Sequence, residues 1–126
     1  MICNFILYVR DQDASTRFYR TVLSKEPSLH VPGMTEFRIS NECILGLMPE
    51  KGIKRLLGAT IEDPERTNGI ARAEVYLTVD SPERFMERAI ASGGRLLSPL
   101  EPRNWGDTAG YIADPDGHVI AFASRT

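Results

Sequence analysis

Histidine, cysteine and tryptophan are scarce in this chain: two, two and one residue in 126. No Cys-x-x-Cys pair occurs, which argues against a zinc knuckle or a thioredoxin-like redox motif. Cys3 and Cys43 both sit in apolar stretches and read as buried free thiols of a reduced compartment. A disulfide between neighbouring strands is the alternative, given close geometry. The N-terminus lacks a basic region followed by an apolar run and a small-residue cleavage site, and no apolar run reaches bilayer-spanning length. A cytoplasmic protein with no membrane partner is expected. Clustered cations are also missing: the arginines are scattered among acids, and the net charge is −2. That argues against a nucleic-acid partner. No Gly-rich phosphate loop follows a strand, no Gly-x-Ser-x-Gly elbow occurs, and the two histidines suit no triad.

What remains is an ordinary globular composition, 42% apolar and 25% charged, in a length that suits one domain. Such a chain can bury a core without disulfides or a structural metal.

Alternation and turn signals divide the chain. The first strand is Cys3–Val9, and a helix follows from about Ala14 to Leu23 with Asp13 as N-cap and an apolar stripe of Ala14, Phe18 and Val22. Short strands are predicted at Ser28–Val31, Thr35–Ile39 and Cys43–Met48, the last two joined at Ser40-Asn41. Residues 49–69 carry Gly52, Gly58, Asp63-Pro64 and Asn68-Gly69 and read as an irregular connector with a helical turn at Ile53–Leu57. It is either a lid or a plain linker. A second series then begins. Ala73–Val79 is a strand, and a helix opens with Ser81 as N-cap and Pro82 at its first position, ending at Gly93-Gly94. Arg95–Leu100 is a strand, the loop Glu101–Asp107 holds Trp105, and Thr108–Ala113 pairs with His118–Ser124 across Asp114-Pro115-Asp116-Gly117.

Strand-helix-strand-strand-strand therefore occurs twice: residues 1–48 and 70–126, joined by 49–69. Leu7-Tyr8-Val9 aligns with Leu77-Thr78-Val79 at an offset of 70, and Ile44-Leu45-Gly46-Leu47 with Val119-Ile120-Ala121-Phe122 at 75. Identity between the halves is low, so the repeat is one of pattern.

Three stretches give the chain a family likeness: Leu7-Tyr8-Val9-Arg10-Asp11 with Ser15-Thr16-Arg17-Phe18-Tyr19, then Trp105-Gly106-Asp107, then Tyr111-Ile112-Ala113-Asp114-Pro115-Asp116-Gly117-His118. In order and spacing they resemble the glyoxalase/bleomycin-resistance/dioxygenase (vicinal oxygen chelate) superfamily. The resemblance implies an α+β fold of two βαβββ repeats forming a cupped eight-stranded mixed sheet with helices on the convex face. It also implies a homodimer and a ligand in the cup, with a divalent metal in the enzymes.

The family enzymes usually place a His or Gln early in the first strand of a repeat and a Glu near the end of the last. The corresponding residues here are Asn4 and Glu74, then Gly46 and Ala121. Only Glu74 is a competent ligand, Asn4 offers at most a carbonyl, and the other two have no donor. Recruiting His118 or Glu42 by a one-residue slip would turn the side chain to the other face, and His118 after its turn reads as exposed. His30 beside Pro32 is a poor candidate too. No metal and no other cofactor is expected, and the family's metal chemistries lose their support.

Strand parity puts Asn4, Ile6 and Tyr8 on one face with Ile44, Gly46 and Met48, and likewise Glu74, Tyr76 and Thr78 with Val119, Ala121 and Ala123. The opposite parity collects Phe5, Leu7, Val9, Leu45, Leu47, Val75, Leu77, Val79, Ile120 and Phe122, as a helix-covered face should. Aromatic, small and polar groups together suit an organic-ligand pocket, with Gly46 and Ala121 leaving room. Asn4, Ile6, Tyr8, Gly46, Met48, Glu74, Tyr76, Trp105 and Ala121 are the candidate ligand-binding residues. Trp105 is either a stacking surface or a plug at a sheet edge or dimer interface. Glu74 has three open roles: a structural pair with Arg38 or Arg103, recognition of a cationic ligand group, or general base.

The expectation is a metal-independent binding protein that sequesters an aromatic or cationic small molecule in a dimeric cup. The alternative is a lyase, isomerase or dioxygenase-type enzyme using Glu74 as base or rearranged metal ligands. A domain without a ligand would instead have its cup filled by its own side chains, with Met48 and Tyr76 collapsed inward.

Overall fold

Alternating apolar residues punctuated by Gly, Pro and Asp turns give eight strands in a computed structural model that describes all 126 residues. They form two four-stranded sheets. Strands β1 (Cys3–Val9), β2 (Leu29–Val31), β3 (Met34–Ser40) and β4 (Cys43–Pro49) lie in the order β1-β4-β3-β2. Strands β5 (Glu74–Thr78), β6 (Arg95–Pro102), β7 (Asp107–Ala113) and β8 (Val119–Arg125) repeat it as β5-β8-β7-β6. In each sheet the first and last strands run parallel and the other pairs antiparallel. The expected eight strands and two βαβββ modules are thus present, divided into two mixed sheets of four.

The chain separates into two compact units, Met1–Arg20 with Ser24–Asn68 and Thr21–Leu23 with Gly69–Thr126. Helix α1 (Gln12–Leu23), which belongs to the first unit up to Arg20, buries Phe18 and Tyr19, whose rings meet edge to face at 5.0 Å. Polar anchors fix this helix. Gln12 donates from Nε2 to the Val31 carbonyl (2.8 Å) and Thr35 Oγ1 (3.0 Å), and accepts from the Gly33 N–H (2.9 Å). The Thr16 and Thr35 hydroxyls, both buried, pair at 2.9 Å. Asp11, not Asp13, caps α1: its carboxylate accepts the Ala14 N–H at 3.0 Å. The helix begins two residues earlier than its apolar stripe suggests, so the cap moves with it.

The connector is more regular than its glycines imply. Helix α2 (Glu50–Leu57) buries Glu50 and Ile53, and Lys54 Nζ ties down its exit by donating to the Gly58 and Ile61 carbonyls at 2.7 and 2.9 Å. Single 3-10 turns follow at Gly58–Thr60 and Pro64–Arg66.

In the second unit, helix α3 (Pro82–Ala91) packs on its sheet, with Phe85 5.2 Å from Phe122. Pro82 opens it as expected, but the Ser81 side chain makes no capping bond. Gly117, at φ +94°, closes the β7–β8 hairpin in a backbone conformation that favours glycine. Leu45, Leu47, Ile120 and Phe122 are buried on the helix-side parity, whereas Phe5, at the rim, is partly exposed.

The thiols depart from expectation. Both cysteines are free, but Cys3 is exposed and Cys43 only half-buried, because both stand at the very start of their strands.

Candidate functional site

The nine candidate residues fall into two groups, one in each unit. On the first sheet Asn4, Ile6 and Tyr8 face the same way as Ile44, Gly46 and Met48, their register partners. Ile6 and Tyr8 are exposed, and so are Leu29 and Val31 on β2. Glu36 and Arg38 join this face through their pairing with Gly46 and Ile44, and the Asn4 amide donates to Glu36 at 3.4 Å. The room expected at Gly46 is already taken. A Cβ there would lie 3.0 Å from Ile6 Cγ1 and 3.5 Å from Met34 Sδ. At this one point the sheet is filled by its own side chains, though by Ile6 and Met34 rather than Met48.

The second sheet is different. The parallel β5–β8 register and the antiparallel β8–β7 register set Tyr76, Ala121 and Tyr111 in one row, and place Glu74, Asp107 and Arg125 on the same face. Ala121 is fully buried between the two tyrosine strands. A hydrogen-bonded chain crosses this face. The Tyr76 hydroxyl donates to Asp107 Oδ2 at 2.7 Å and accepts from the Trp105 indole N–H at 3.0 Å. Arg125 Nη1 donates to the other Asp107 oxygen at 3.2 Å. Trp105 sits in the tight β6–β7 loop, where Gly106 at φ +97° turns the chain. With its only polar atom satisfied, the indole remains 52% exposed. Within the chain it is a fixed, half-exposed aromatic surface.

Electrostatics follow these contacts. The Tyr76 and Arg125 hydrogen bonds hold the Asp107 carboxyl below its ordinary range. Partial burial pushes the Tyr76 hydroxyl up; the Trp105 hydrogen bond opposes this and Asp107 reinforces it. Burial also raises Tyr111, and the Glu74 charge adds to the effect.

Arg103 braces the loop from below. It donates to the Ala109 carbonyl (3.1 and 2.8 Å), Ser98 Oγ (2.9 Å), the Pro99 carbonyl (2.8 Å) and Glu101 (2.9 Å), with its guanidinium 5.3 Å from the Tyr111 ring centre. Thus committed, Arg103 does not pair with Glu74, which shares its unit. Of the two pairings expected for Glu74, the one with Arg103 is not formed: Glu74 is exposed and Arg103 pairs with Glu101.

Asp107, Tyr111 and Arg125 are not singled out by the sequence as site residues, and Arg103 only as a partner for Glu74. Parity offered a partial signal, since Tyr111 shares the Ala121 row once the β7–β8 turn is placed.

The residues at the four metal positions do not fit a metal. Gly46 is crowded by Ile6 and Met34, Ala121 is buried without a donor, and the Asn4 amide nitrogen is turned to Glu36. Asp114, Asp116 and His118 do bring ligand atoms within 4.8 Å of one another, but at the β7–β8 turn. There the buried Asp114 carboxylate accepts the Asp116 and His118 N–H groups at 2.9 Å each and lies 2.8 Å from His118 Nδ1. His118 is therefore half-buried and part of the turn, not exposed as its position suggested. His30 stands 3.8 Å from Asp13 beside an open cleft of about 540 Å³ that includes none of the nine candidates.

With this geometry in view, comparison with known proteins places the chain. A family model described as the glyoxalase/bleomycin resistance protein/dioxygenase superfamily matches residues 2–122. Among solved structures, a glyoxalase-related enzyme from Fulvimarina pelagi superposes with a TM-score of 0.82 at 25% identity, over 99% of this chain and 88% of that one. A glyoxalase/bleomycin resistance protein/dioxygenase family enzyme from Burkholderia phytofirmans gives 0.81 at 16% identity, over 98% and 97%. An uncharacterised protein of Mycobacterium bovis is 39% identical over 44 residues, which is 35% of this chain and 29% of that protein. The chain thus spans under a third of the curated relative it matches. No helix is long and apolar enough to cross a membrane. By its family match and its two βαβββ modules, the chain belongs to the glyoxalase/bleomycin resistance protein/dioxygenase superfamily.

Proposed function

We propose that the chain is a metal-independent binding protein that holds a planar, cationic organic molecule against the β5–β8–β7 face, acting as a homodimer. The observation that carries this reading is Trp105, half-exposed and fixed by its hydrogen bond to Tyr76. Such a ring stacks on a planar ligand without first losing much freedom. Glu74, exposed and without an ion pair on the same face, supplies a charge for a cationic group. The donor-poor positions 46 and 121 favour binding over metal-assisted turnover.

Trp105 is the sole tryptophan, so its fluorescence reports the site directly. Titration with the planar cation proflavin should quench it saturably, and Trp105→Ala should weaken binding at least about tenfold by calorimetry, equivalent to about 1.4 kcal/mol. Near-equimolar retention of nickel, manganese, zinc or iron(II) after incubation and desalting would sink the metal-independent reading. The same free carboxylate beside Tyr111 also suits a general base for a lyase or isomerase. Glu74→Gln separates the two: loss of affinity alone supports binding, and loss of turnover with affinity kept supports the enzyme.

A further inference from the structure

We propose that Cys3 and Cys43 form a reversible cross-link, making the start of strands β1 and β4 a peroxide-sensitive modification site. The two residues are direct partners in the parallel β1–β4 register, and the Cys3 N–H donates to the Glu42 carbonyl at 2.8 Å, fixing that register. Neighbouring strands lie about 4.8 Å apart, inside the roughly 4.4–6.8 Å span between Cα atoms that a disulfide bridges. Register partners also point to the same side of the sheet, so both thiols leave the backbone in the same direction. Both are free, and they differ in access: Cys3 is exposed and Cys43 half-buried. Each is the first residue of its strand, where the backbone can adjust to bridge geometry with little loss of ladder pairing.

That difference in exposure sets the order of events. The Cys3 thiol meets the oxidant first. It takes one oxygen from a hydroperoxide, releasing water or an alcohol, and becomes a sulfenic acid. The Cys43 sulfur then attacks the Cys3 sulfur and water leaves, so two thiols and one peroxide give one disulfide. A dithiol reductant reverses the step by exchange. Because β1 is the edge strand, bonded only to β4 within its sheet, the bridge staples the strand that carries Asn4, Ile6 and Tyr8.

The test treats the full chain with hydrogen peroxide, blocks residual thiols with N-ethylmaleimide, and measures intact mass and a non-reducing peptide map. The expected result is loss of two hydrogen atoms in a monomeric product, one peptide joining Cys3 to Cys43, and full recovery on dithiothreitol. The cross-linked form should melt at least about 5 °C higher, since the bridge closes a long loop in the unfolded chain. Cys3→Ser should leave Cys43 alkylated and abolish the shift. Two alkylated thiols after oxidation, a disulfide joining two chains, or a bridge with no change in melting would each overturn the proposal.

Discussion

The two sheets share a topology and differ in what they do with it. Behind each lies a similar apolar layer, with Phe37 fully buried under one and Phe122 under the other. The opposite faces have diverged. The first carries exposed apolar side chains beside Asn4, Glu36 and Arg38, with Ile6 and Met34 closing the space at Gly46. The second carries a connected polar chain, Trp105 to Tyr76 to Asp107 to Arg125, beside an unpaired Glu74. Folding constrains the covered side of a sheet through packing, so the open side is where two copies of one pattern can specialise.

If that division is right, core truncations should be equivalent and face truncations should not. Phe37→Ala and Phe122→Ala should each cost about 3–5 kcal/mol, from lost burial and the cavity left behind. Urea denaturation measures both. A twofold difference between them would break the equivalence of the cores.

How much of this could be read in advance depends on the range of the interaction. The β1 boundaries, the β7–β8 turn and the two parities were legible, because each rests on alternation or on local turn chemistry such as Asp114 to Gly117. The α1 cap was misplaced by two residues, since Asp11 and Asp13 are chemically alike and only the end of β1 decides between them. Helix α2 was read as a single turn because it holds a glycine and buries only Glu50 and Ile53. The polar chain was least legible. Asp107 meets Arg125 only through the β7–β8 register, and Trp105 reaches Tyr76 only once the β6–β7 loop has closed.

The next largest contrast concerns the tyrosines. Tyr76→Phe removes a hydroxyl that both donates and accepts, and should cost about 1–2 kcal/mol, part of it through the charged Asp107. Tyr8→Phe, two residues beyond the position that matches Tyr76 in the other sheet, removes the hydroxyl of an exposed residue and should change stability by less than about 0.5 kcal/mol. Equal effects would mean that the two faces are not functionally distinct.

Their pH dependence should differ likewise. Asp107 is held below its ordinary value of 3.8, so its contribution is fully present above that pH and is lost as pH falls through the lower folded value. Tyr76 is raised above 10.0, so its contribution is present below that pH and is lost as pH rises through the folded value. Asp107→Asn should flatten the acid limb of a melting-temperature profile. Tyr76→Phe should remove the alkaline change in Trp105 fluorescence. An unchanged alkaline transition would place its origin elsewhere, Tyr111 being the next group to test.

The smallest expected effect is the most pointed, because it concerns matching positions in β4 and β8. Gly46→Ala adds a Cβ that meets Ile6 Cγ1 at 3.0 Å, so Ile6 must yield. Ile6 lies on an edge strand with part of its side chain in solvent and can rotate away. The lost flexibility of the unfolded chain offsets the clash by about 0.4–1 kcal/mol, so the net change should stay within about 1 kcal/mol of zero. Ala121→Gly has no such offset. It removes a fully buried methyl from the row between Tyr76 and Tyr111 and loosens the unfolded chain as well, so it should destabilise by about 1 kcal/mol. The tyrosine that loses support should also shift the Trp105 emission, which no change at Gly46 should do. A shift from Gly46→Ala would tie the two faces together and undo the separation on which the binding proposal rests.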